Sequence, residues 1–118
     1  MMETEQLKDL VITALEDVKA QDIHVMDVSE MTSITDYMIV ASGTSDRQVR
    51  ALANNILDEC KKHDIEPIGM EGQEKGEWIL VDLADVIVHV MQASARDFYQ
   101  LEKLWTITEE RSEKSRQS

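Results

Sequence analysis

Three histidines and one cysteine are the side chains best suited to nucleophilic, acid–base or metal chemistry in this chain: His24, His63, His89 and Cys60. None is spaced from another, or from a carboxylate, as a metal-binding motif requires. His89 stands inside the apolar run Val86 to Met91, where a satisfied sheet histidine is a simpler role than a general base. Cys60 falls on the apolar stripe of a helical pattern, the place of a small core residue rather than a nucleophile. No serine stands in a nucleophile-elbow pattern, and no Walker-type loop occurs. The turn Ser42-Gly43-Thr44-Ser45 is more suggestive, because backbone N–H groups at a helix N-terminus can cradle an anion. The same residues also make a tight turn with Ser/Thr capping, and Asp46 in the first helical turn would repel a phosphate.

Nucleotidyl transferases place such a turn before a helix and hold metal on paired carboxylates of a following strand. The nearest candidates are Asp82 and Asp85. Strand side chains share a face only at even spacing, so this pair is poorly arranged for two-metal chemistry. The case for an enzyme is weak. A binding surface is better supported. In the run from Glu77 to Leu83, Ile79, Val81 and Leu83 form an apolar face fit for a core. Trp78, Leu80 and Asp82 form the other face. That second face is either covered by a helix or presented outward, and an outward Trp–Leu patch beside a carboxylate has the make-up of a protein-binding hot spot. Met70 and Glu71 could extend it.

These residues have to be positioned by ordinary elements. Leu7, Leu10, Val11, Ala14, Leu15 and Val18 trace one stripe of a helix over Thr4 to Gln21, with Thr4 as its N-cap. Two β-rich runs follow, His24 to Val28 and Tyr37 to Ala41. A second helix repeats the stripe from Val49 to Cys60 and ends near His63. Glu66 to Met70 is a short strand whose proline, Pro67, favours a sheet edge, and Glu71 to Gly76 is a loop. Trp78 to Leu83 and Val86 to Met91 are joined through Ala84 and Asp85, a connection short enough for an antiparallel hairpin. Ser94 is the expected N-cap of a last helix from Ala95 to about Trp105. The order predicts an α/β (α+β) fold: a mixed five-stranded sheet with flanking helices.

The length of 118 residues allows one domain, expected over residues 1–107, with the charged and polar tail 108–118 expected to be disordered. Twelve Lys and Arg against twenty-four Asp and Glu give a formal charge of −12. Such a chain is repelled by a phosphate backbone and suited to a basic protein surface. One cysteine permits no intrachain disulfide, and the acidic start Met1-Met2-Glu3-Thr4-Glu5 is unlike a targeting peptide; both fit the cytoplasm.

Three separated runs resemble the ribosomal silencing factor family, also called Iojap-related proteins. They are Asp36 to Val49 (DYMIVASGTSDRQV), Gly76 to His89 (GEWILVDLADVIVH) and Arg96 to Trp105 (RDFYQLEKLW), and the similarity reaches from the first helix to Trp105. The resemblance implies a nucleotidyltransferase-like outline without the catalytic carboxylates, hence no enzyme activity and no cofactor. It implies binding to the large ribosomal subunit through large-subunit ribosomal protein fourteen. Small-subunit joining would then be blocked when nutrients are scarce. It also implies a homodimer when free. Carried over by position, the partner-facing patch comprises Trp78, Leu80 and Asp82 on the strand, Met70, Glu71 and Lys75 on the adjoining loop, and Tyr99 on the last helix. Ala84 departs from the pattern, standing where many relatives look to carry glycine, so a positive φ there would be mildly strained. The alternatives are an acidic adaptor and a nucleotide-handling enzyme of the same outline.

Overall fold

The computed structural model describes residues 2–98. Its elements are α1 (Thr4–Asp17), β1 (Gln21–Asp27), β2 (Tyr37–Gly43), α2 (Asp46–Lys62), β3 (Gly69–Glu71), β4 (Trp78–Asp82), β5 (Val86–Gln92) and α3 (Ala93–Phe98). They form one five-stranded sheet in the order β1-β2-β5-β4-β3. The central β2–β5 pair is parallel and the other three pairings are antiparallel. α2 carries the chain from β2 to the far edge at β3, and two antiparallel steps bring it back beside β2. The expected mixed sheet is the one observed.

The apolar stripes read from the sequence bury themselves on one face of this sheet. Leu7, Val11, Ala14 and Leu15 of α1 and Val49, Leu52, Ala53, Ile56 and Cys60 of α2 pack with Ile39, Ala41, Ile79, Val81, Val86, Val88 and Val90. A smaller cluster of Val28, Met38, Val40 and Met91, flanked by Met26, Trp78 and Ala95, forms on the opposite face. Among the described residues no helix is long and apolar enough to cross a membrane.

Several boundaries differ from the sequence reading, each for a local reason. The N-cap of α1 is Glu3, whose N–H donates to Gln6 Oε1 at 3.0 Å. Thr4 instead sends its hydroxyl to Asp85 Oδ2 at 3.3 Å. α1 stops at Asp17 rather than Gln21 because Lys19 turns left-handed at φ +61°. Its N–H reaches Glu16 O at 2.9 Å and that of Ala20 reaches Leu15 O at 3.0 Å, the paired bonds of a Schellman ending. α2 closes identically, with Asp64 at φ +56° and bonds from Asp64 to Lys61 O and from Ile65 to Cys60 O. β3 begins after Pro67, which has no N–H for a ladder; Ile68 N makes the first bond across, to Asp82 O at 2.8 Å. α3 follows β5 directly, so Ser94 lies inside the helix and not at its cap. The expected continuation to Trp105 and the tail lie outside the described residues.

Candidate functional site

The two-residue connection Ala84-Asp85 sets the register of the β4–β5 hairpin, and with it the faces. Leu83 N donates to Val86 O at 2.9 Å, and Trp78, Leu80 and Asp82 fall opposite Met91, His89 and Ile87. Since directly paired residues share a face, Trp78, Leu80, His89 and Met91 lie together on the side away from α1 and α2. Ala84 sits at φ +72°, the strained conformation anticipated for an alanine there. Asp82 Oδ1 accepts from Ala84 N at 2.9 Å and so braces the turn.

Burial divides the expected patch. Leu80 and Asp82 are fully buried, so the outward Leu–carboxylate surface is not present; the second face of the strand is covered. Trp78 is half-buried, and its Nε1 donates to His89 Nδ1 at 2.7 Å, with ring centroids 5.4 Å apart and tilted by 51°. His89 is itself fully buried. It is the satisfied sheet histidine expected from its strand. Glu71 pairs with Leu80 in register and therefore joins the Trp78 face, whereas Met70 pairs with Val81 and packs against the α1/α2 core. The structure thus separates Met70 from Trp78 to opposite sides of the sheet. Lys75 is exposed on the loop, and Tyr99 lies outside the described residues.

The loop from Gly72 to Gly76 is held by a residue the sequence reading did not single out. Arg50 of α2 donates from Nε to Gln73 O at 2.9 Å, from Nη2 to Glu74 O at 2.5 Å and from Nη1 to Asp46 Oδ2 at 3.1 Å. Gly76 lies at φ +66° so close to α2 that a Cβ would stand 3.0 Å from both Asp46 Cβ and Asp46 O. Gln92 ties the start of β4 from the other side, its N–H on Glu77 O at 2.9 Å and its Nε2 on Gly76 O at 3.2 Å. The i,i+4 spacing of Asp46 and Arg50 was the available signal; that the guanidinium also takes two loop carbonyls could not be read from it.

The residues weighed for catalysis are otherwise engaged. In the turn after β2, Ser45 Oγ caps α2 by accepting from Gln48 N at 3.1 Å. The Thr44 N–H is taken by Gln48 Oε1 at 2.6 Å, and Gln48 Nε2 donates back to Val18 O at 3.1 Å. Capping, not an anion cradle, uses these donors. Asp82 is buried while Asp85 is exposed on the turn, so the two do not converge. Among the described residues no group of three or more His, Cys, Asp or Glu could hold a metal ion. Burial pushes the Cys60 thiol up to about 11, which leaves it a neutral core side chain near pH 7. At the other end of the sheet the Tyr37 hydroxyl donates to Glu5, Lys8 Nζ sits 2.8 Å from the same carboxylate, and its ammonium lies 5.2 Å from the Tyr37 ring centroid. The Lys8 and Tyr37 hydrogen bonds hold Glu5 below the usual carboxylate range, and the bond to Glu5 raises Tyr37.

Comparison with known proteins bears on the family and the fold. The chain is similar to the ribosomal silencing factor RsfS of Chromobacterium violaceum, 49% identical over 104 residues, which is 88% of this chain and 85% of that one. It is 50% identical over 99 residues to the ribosomal silencing factor RsfS of Haemophilus influenzae, covering 84% of this chain and 97% of the relative. A crystal structure of a Chromobacterium violaceum protein superposes with a TM-score of 0.84 at 48% identity, over 89% of this chain and 88% of that one. The family model described as "Ribosomal silencing factor during starvation" matches residues 1–118, and the family is named for silencing rather than for a catalysed reaction. On this match and these identities, the chain belongs to the ribosomal silencing factor family.

Proposed function

We propose that the protein silences translation by binding the large ribosomal subunit through large-subunit ribosomal protein fourteen and blocking access of the small subunit when nutrients are short. The observation that carries this reading is the match of the whole chain, residues 1–118, to a family described by ribosomal silencing during starvation. Charge supports it, since a domain with a formal charge of −12 is steered toward a basic ribosomal protein and repelled by bare rRNA phosphates. Silencing of this kind needs a docked volume and no chemistry. The contact surface is built around the accessible part of Trp78 with Glu71 and Lys75, and the family resemblance adds Tyr99 as a further contact residue. Leu80 and Asp82 act from beneath as its packing and its turn brace, and Met70 contributes from the other side of the β3 edge. The protein works in the cytoplasm as one domain, residues 1–107, and is a homodimer when free.

The test is subunit joining. Purified large and small ribosomal subunits are mixed with increasing protein, and association is followed by light scattering and gradient sedimentation. The expected result is loss of joined ribosomes, with the protein travelling on the large subunit alone. Unchanged joining without co-sedimentation overturns the reading.

A further inference from the structure

We propose that His89 is a positioning residue for recognition: its Nδ1 fixes the indole of Trp78 in the orientation that meets the partner. The proposal rests on the reading of Trp78 as a contact residue of the large-subunit surface. An indole N–H can only donate, so the 2.7 Å approach of Trp78 Nε1 to His89 Nδ1 requires a bare, accepting Nδ1. The hydrogen must then reside on Nε2, and the ring is the neutral tautomer at this site. An imidazolium would present a second N–H to the indole and lose the bond. His89 can hold this pose because it is fully buried on β5, a strand flanked on both sides by β2 and β4. Trp78 has the complementary placement, half-buried at the first position of β4. Its backbone neighbours Gly76 and Glu77 are already tied to Gln92. With the strand end fixed and the ring packed against the cluster of Val28, Met38, Val40 and Met91, the bond to His89 sets the direction in which the indole N–H points. A half-buried aromatic held from inside loses little entropy on binding, which is what a recognition anchor needs.

Two readouts test this. In protein labelled with ¹⁵N, a scalar coupling across the hydrogen bond between Trp78 Nε1 and His89 Nδ1 is expected; Trp78→Phe identifies the indole signal among the two tryptophans. Absence of that coupling, with an indole hydrogen that exchanges at the rate of a free one, overturns the proposal. The second readout is co-sedimentation with the large subunit. His89→Leu fills similar space without an acceptor and is expected to bind about fivefold more weakly, the value of one ordinary hydrogen bond. His89→Asn keeps an acceptor on the Nδ1 side and is expected to restore most of the affinity, which a purely packing role would not do. A folded His89→Leu variant that binds as wild type overturns the positioning role, as does His89→Asn binding no better than His89→Leu. Should His89→Leu fail to fold, the coupling and the His89→Asn comparison with wild type still decide. Wild-type protein that shows the coupling but does not travel with the large subunit overturns the partner reading, and with it the link from pose to recognition.

Discussion

At the scale of single residues, the half-buried ring of Trp78 concentrates the expected binding energy. Trp78→Ala is expected to fold, by unchanged circular dichroism, and to bind the large subunit about thirtyfold more weakly, about 2 kcal/mol, in a co-sedimentation titration. Gly76 matters for a different reason. Its left-handed backbone at φ +66° and the 3.0 Å approach to Asp46 leave no place for a Cβ. Gly76→Ala is expected to lower stability by about 2 kcal/mol in urea unfolding and to loosen the loop carrying Lys75. Some of this was legible. The alternation of β4 placed Trp78, Leu80 and Asp82 on one face, and a two-residue hairpin loop already implies that His89 lies opposite Leu80, diagonal to Trp78. The burial of Leu80 and Asp82 was not legible, because alternation assigns faces without saying what covers them.

At the scale of elements, helix ends were harder to read than helix bodies. The stripes of α1 and α2 predict the residues that enter the core, from Leu7 to Leu15 and from Val49 to Cys60. The apolar stripe runs past the end of α1 because its Schellman turn is made by Lys19, where glycine is the usual signal. A lysine at φ +61° is strained, and its carbonyl, not its side chain, receives the hydrogen bond from Gln48 at 3.3 Å. Lys19→Gly is therefore expected to stabilise the protein by about 0.5–1 kcal/mol, raising the urea midpoint without changing the slope. The N-cap of α1 lies one residue before the threonine its sequence offers, because Thr4 serves Asp85 across the fold, a contact 81 residues away in sequence.

At the scale of the whole molecule, charge sets how the protein meets its partner. With a formal charge of −12 the encounter with a basic ribosomal surface is expected to be faster at low ionic strength. Raising salt from about one Debye length of 30 Å to one of 8 Å should slow association in stopped-flow measurements while dissociation changes little. An association rate that does not respond to salt would locate recognition in the apolar contact alone. The sheet order adds a consequence for how the molecule comes into being. Among the described residues β5 is the last strand in sequence and the middle one in space. Until it has been synthesised, the earlier strands can form only two separate pairs, β1 with β2 and β3 with β4, each with a bare inner edge. The five strands therefore become one sheet only once β5 has been made.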